Sequence, residues 1–197
     1  MFVFSKNPRY LATLGLMLAL TLVMDYSPLG AIPLGAISAT ITHIPTIITG
    51  VILGPIAGFL MGTCLGLISL IHALTRPVTV LDPLFINPLI SVLPRMFIGI
   101  VSYYIYFFLS KINKKISLKI ALATFAAGFA GSLTNTSLVF LMLYLIYAKE
   151  VVEKIGIAFK VMLISVFTTN AIAEALVSSF ITSAISIAYF KYSKSEI

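Results

Sequence analysis

Long stretches of this chain carry no formal charge, and that feature limits the fold more than any motif does. Tyr10 to Met24 contains no Asp, Glu, Lys or Arg, and neither does Ile37 to Leu74. The chain is 60% hydrophobic and 10% charged, where a soluble domain carries roughly 25% charged residues. Folded in water, such a chain would lack the polar side chains to cover its surface. In hydrocarbon the same shortage is favourable. One membrane span needs about 20 apolar residues, so 197 residues hold six helices and short loops. The expectation is an all-α integral membrane protein, a single six-helix bundle over residues 1–197, with any ATPase on another chain.

The formal charge of +7 does not point to nucleic acid, because the bases sit in patches between apolar runs. Such patches orient a membrane protein. They are Lys6 and Arg9, then Lys111, Lys114, Lys115 and Lys119, then Lys191 and Lys194. The lone Cys64 lies inside an apolar run, which excludes an internal disulfide. The run from Leu11 to Met24 follows a basic start, but no small-x-small cleavage site follows it, so it reads as helix 1 rather than a signal peptide.

Proline and glycine divide the rest. Helix 1 covers Tyr10 to Met24, and the apolar loop after it, Asp25 to Gly35, holds Pro28, Gly30, Pro33 and Gly35. These forbid a continuous helix. Helix 2 is expected over Ile37–Leu53, and Gly54-Pro55 turns into helix 3, Ile56–Leu74. A second loop, Thr75–Ile86, precedes helix 4, Pro88–Leu109, which Pro94 interrupts. Helix 5 is expected over Leu118–Tyr147, a charged turn over Lys149–Lys154, and helix 6 over Ile157–Phe190. Six spans put both termini and the helix 4–5 loop on one side, with most of the bases. The positive-inside rule makes that side the cytoplasm of a bacterial cell.

Polar residues at membrane depth are costly unless partnered, so they are the candidates for function. Arg95, in Leu93-Pro94-Arg95-Met96, reads either as a fixed cation for a carboxylate or as a structural partner of Glu174 or of carbonyls freed by Pro94. Asn170 and Glu174 are four apart on helix 6 and share a face, while Asn135 lies mid-way along helix 5. The two amides suit the hydroxyl and amide groups of a small polar ligand, or hydrogen bonds between helices. Glu174, counted from the expected start of helix 6, falls past the membrane midpoint, which favours a structural role. His43 and His72 have no carboxylate or thiolate cluster in sequence and make a poor metal site; hydrogen-bonded structural histidines are expected. Asn87 is a helix cap or a pocket residue.

Small residues recur at helical spacing: Gly15 and Ala19 on helix 1, and Gly58, Gly62 and Gly66 on helix 3. Such spacing lets backbones approach closely, and for helix 3 packing within the chain is the favoured reading. There is no H-E-x-x-H, no G-x-S-x-G and no P-loop, so no enzymatic activity and no cofactor are expected.

The ordered set Ile32-Pro33-Leu34-Gly35, Thr42-His43-Ile44-Pro45, Ile52-Leu53-Gly54-Pro55-Ile56-Ala57-Gly58 and Leu93-Pro94-Arg95 resembles the S component of an energy-coupling factor (ECF) transporter. The resemblance runs from Tyr10 to Phe190, and the helix 2 and helix 4 motifs look most like the pantothenate branch. It implies a vitamin-binding subunit that captures its ligand from outside, and partners in a transmembrane T component and two cytoplasmic ATPases. It also implies toppling of the subunit in the membrane to release ligand. Gly15 and Ala19 match the small-residue positions that pack on the T component. A carboxylate-bearing ligand of that branch would suit Arg95, with Asn135 and Asn170 for its hydroxyls and amide; Asn87 and His43 are further candidate ligand contacts from the residues themselves, and riboflavin or another vitamin precursor is the alternative ligand. A stand-alone proton-coupled transporter, with Glu174 as its coupling site, is a second class. It should show inverted repeats or paired broken helices, and the sequence has neither.

Overall fold

The computed structural model describes residues 8–27, 30–33, 38–78, 81–112, 116–155, 161 and 170–194. Among these the chain is helical apart from one short β-pairing. The elements are α1 (Pro8–Tyr26), β1 (Ala31–Pro33), β2 (Ser38–Thr40), α2 (Ile44–Leu53) and α3 (Pro55–Thr75). A 3-10 turn (Asp82–Ile86) leads to α4 (Pro88–Ser91), α5 (Leu93–Ile112), α6 (Ile116–Ile155) and α7 (Ile172–Lys194); α7 follows a π turn at 170–171.

Among the described residues, five helical segments are long and apolar enough to cross a membrane: Pro8–Tyr26, Pro55–Thr75, Pro88–Lys111, Lys119–Lys149 and Ile172–Tyr192. The sixth, α2, has only 10 residues, about 15 Å at 1.5 Å per residue, against a hydrocarbon core of about 30 Å. Here the structure corrects the expected helix 2. Ser38–Thr40 pairs antiparallel with Ala31–Pro33, with Ile32 opposite Ala39, and the helix starts only at Ile44. Pro45 at its first turn suits a helix start, since the missing N–H would have had no partner there.

Although short, α2 is central. Every residue from Ile44 to Val51 is buried, and the helix packs on α3, α5, α7, α1 and α6. Three glycines make this possible. A Cβ on Gly58 would meet the Cα of Gly50 at 2.9 Å and the backbone of Gly99, and a Cβ on Gly99 would run into the Gly58 backbone. At Gly62 and Gly66 a Cβ would meet the backbone of Arg95 and of Val92. The helix 3 glycines therefore serve packing within the chain, as the spacing suggested. Gly54, at φ 100°, makes the sharp turn between α2 and α3, a conformation that glycine adopts without a Cβ penalty.

The interface of α6 and α7 is built from small and hydroxyl residues. Thr124, Gly128, Ser132 and Thr136 recur every four residues on α6; Ala171, Ala175, Ser179 and Ser183 do so on the α7 side. Thr124 Oγ1 donates to Ser183 Oγ at 3.1 Å, and a Cβ on Gly128 would meet the Ser179 backbone. Helix α6 keeps helical geometry to Ile155 except at Tyr147, where φ is −130° and ψ 28°. The break falls where helix 5 was expected to end, but the expected charged turn Lys149–Lys154 continues as helix. The first part of the expected helix 6 lies outside the described residues, apart from Val161.

Candidate functional site

At the end of the bundle where α1 and α3 finish and α7 begins lies a cavity of about 460 Å³. Its walls come from the ends of α1 and α3, the segment Thr40–His43, the 3-10 turn, α5 and α6. Of the candidate residues, Arg95, Asn135 and His43 line it together. Asn87 and Asn170 do not.

Arg95 is placed by a local consequence of Pro94. Were α4 to run unbroken into α5, a residue at position 94 would donate its N–H to the Ile90 carbonyl, and proline has none. Arg95 Nη1 donates to that carbonyl instead, at 2.8 Å. The guanidinium lies over the ring of Phe85, 5.2 Å from its centre, a cation–π distance. Of the structural partners considered for Arg95, the carbonyl freed by Pro94 is the one it contacts, and Glu174 is not. This contact uses one of five guanidinium N–H groups, so Arg95 can face the cavity as well.

His43 is the residue just before α2, where its side chain makes no capping hydrogen bond. Its Nε2 shares a hydrogen bond of 3.0 Å with Ser178 Oγ of α7, which agrees with a hydrogen-bonded structural histidine, while Nδ1 has no partner among the described residues. Asn135 Oδ1 is likewise buried without a partner among the described residues. Such atoms are rare in native interiors, because each carries a desolvation penalty of about 1–3 kcal/mol. Both residues are in the cavity wall, where a ligand's N–H or O–H groups can satisfy them.

Asn87 is a cap. Its Oδ1 accepts the Leu89 N–H at 3.0 Å at the start of α4, and its Nδ2 donates to Tyr147 Oη at 3.4 Å. Asn170 is half-buried one turn before Glu174, away from the cavity wall. Glu174 itself corrects the depth expected of it. It stands in the first turn of α7, and its Oε1 accepts the Thr40 N–H of β2 at 2.6 Å. Together with Ser178, one turn further along, it fastens the Thr40–His43 segment to α7.

A second cluster at the mouth was not foreseen. The Asp25 carboxylate accepts from His72 Nδ1 at 3.1 Å and from Arg76 Nη2 at 3.1 Å, tying the ends of α1 and α3 together. Arg76 also stacks over Tyr26, 4.0 Å from its ring centre. His72 is thus hydrogen-bonded, as expected, but to a carboxylate 47 positions away, which no local pattern reveals. Among the described residues no group of His, Cys, Asp and Glu could hold a metal ion.

Comparison with known proteins assigns this architecture. A family model for the substrate-specific component of ECF transporters matches residues 9–186. The chain belongs to that family. It is similar to the pantothenic acid transporter PanT of Lactococcus lactis subsp. cremoris (strain MG1363), 30% identical over 166 residues that cover 76% of each chain. Membership makes the chain a multi-pass membrane transport protein, in keeping with its apolar helices. In an ECF substrate-specific component, a polar-edged cavity between helix ends is a candidate ligand site, and Arg95, Asn135 and His43 stand in its wall.

Proposed function

We propose that this chain captures pantothenate from outside the cell as the substrate-binding subunit of an ECF importer. The observation that carries the reading is the guanidinium of Arg95 in a cavity wall shared with two buried polar atoms that have no partner among the described residues, Asn135 Oδ1 and His43 Nδ1. Pantothenate has a carboxylate at one end, and an amide and hydroxyls further along. Arg95 is the partner for the carboxylate, through charge-assisted hydrogen bonds. Asn135 and His43 are partners for the hydroxyl and amide hydrogens. The similarity to a pantothenic acid transporter supports the same ligand.

In this reading, α2 and the β1–β2 hairpin complete the sixth pass of a single membrane domain. Both termini are then cytoplasmic, and the cavity opens outward. Ligand binding needs no ATP, because the chain supplies only the site. Transport requires a T component and two ATPases. The docking face is on α1, where Gly15 and Ala19 are exposed and a Cβ on Gly15 would meet nothing within 4 Å.

The test is calorimetry on the purified protein in detergent against pantothenate, riboflavin and pyridoxine. One of them, pantothenate, should bind tightly at one per chain without ATP, and Arg95→Ala should weaken it by about 100-fold or more, the loss of two charged hydrogen bonds. Binding of another vitamin in its place would overturn the ligand assignment.

A further inference from the structure

The geometry points to Pro94 as a positioning residue: by leaving the Ile90 carbonyl open, it holds the Arg95 guanidinium ready for an anionic ligand. This inference rests on Arg95 being the carboxylate partner in the cavity described above.

Four observations combine. Pro94 is buried at the first turn of α5 and cannot donate to the carbonyl one turn back. Arg95 Nη1 takes that carbonyl at 2.8 Å. The Phe85 ring, 5.2 Å away, lies against the guanidinium plane. Finally, α3 presses on the backbone of Arg95 through Gly62, where no Cβ would fit. An arginine side chain otherwise has many rotamers to lose when it binds a ligand. Here one edge is bonded and one face is stacked, so the remaining N–H groups are oriented before the ligand arrives. The holding points are themselves fixed. Ile90 is fully buried in a cluster with Leu84, Val139, Phe140 and Leu143, and Phe85 packs against that cluster.

Any residue other than proline at position 94 brings an N–H that competes for the Ile90 carbonyl. Pro94→Ala and Pro94→Val share that N–H but differ in side-chain size and helix propensity, so an effect common to both belongs to the N–H. The ligands are pantothenate and its analogue with CH2OH in place of the carboxylate, measured by calorimetry on wild type, both Pro94 variants and Arg95→Ala. Thermal unfolding on the same samples shows that each is folded.

Both Pro94 variants should bind pantothenate about tenfold more weakly, the scale of one charged contact, and should bind the alcohol within about twofold of wild type. Their thermal midpoints should change little, since Pro94 stands in the first turn of α5, where proline is tolerated and its replacement neither adds nor removes a helix-interior penalty. Two results would overturn the inference: acid and alcohol weakening together, or the acid binding as in wild type. If Arg95→Ala abolishes the preference for the acid while the Pro94 variants keep it, only the positioning role fails. If Arg95→Ala keeps the preference, the reading of Arg95 fails and this inference goes with it.

Discussion

Replacing Glu174 by alanine removes the acceptor for the Thr40 N–H, a hydrogen bond of 2.6 Å that joins β2 to the first turn of α7. A hydrogen bond to a charged group contributes about 1.5–3 kcal/mol, which corresponds to roughly 10- to 150-fold in an equilibrium. The full amount is not expected in ligand affinity, because the same segment is also held by the contact between His43 and Ser178 at 3.0 Å. With one of two fastenings lost, the Thr40–His43 wall opens more often. Bound pantothenate should then dissociate about tenfold faster, at the low end of that range. The association rate should change little, since Glu174 is not part of the cavity wall. Glu174→Gln retains a carbonyl oxygen at the same position and should restore most of the residence time. Displacement of labelled ligand by an excess of unlabelled ligand in a stopped-flow instrument reads these rates directly. An unchanged dissociation rate in Glu174→Ala, or a glutamine variant as fast as alanine, would refute the reasoning.

Three further outcomes are expected. Gly99→Ala forces a Cβ into the Gly58 backbone, so it should cost about 1–3 kcal/mol from overpacking and lower the thermal midpoint in detergent. Gly15→Leu, with open space around the site, should leave ligand affinity intact but reduce uptake in cells supplying a T component and ATPases; unimpaired uptake would remove α1 as the docking face. Asn87→Ala deletes a helix cap and should lower stability by about 1 kcal/mol while calorimetry shows no loss of affinity.

Helix α3 and the run from α4 into α5 were legible because Gly54-Pro55 and Pro88 mark where long apolar stretches begin, and turn residues are strong punctuation. The start of α2 was not. Ile37 to Thr42 is a β-rich stretch of alternating apolar and hydroxyl residues whose periodicity serves strand and helix equally, and the pairing of Ser38–Thr40 with Ala31–Pro33 decides the matter in three dimensions. The same holds at the site. Arg95 with Pro94 before it announces a buried cation beside a freed carbonyl, a local relation that sequence contains. The depth of Glu174 depended on counting from an assumed helix start. The contact of Asp25 with His72 depends on where α1 and α3 end in space, and adjacency along the chain carries no trace of it. His43 and Asn135 were candidates by polarity alone; what the fold adds is that they share one cavity while Asn170 does not.

The brevity of α2 has a consequence for how this protein enters a bilayer. Ten residues give too little apolar length for stable lodging between lipids, and the backbone groups at its ends have no water to turn to. Its resting place is a slot lined by Gly58 of α3 and Gly99 of α5, and α5 leaves the ribosome some 40 residues after α2. The segment therefore waits, paired with α3 across Gly54, until the later helix arrives to close the slot. An arrest placed between α3 and α5 during synthesis should leave α2 exposed to water-soluble labelling reagents, and synthesis through Ile112 should bury it.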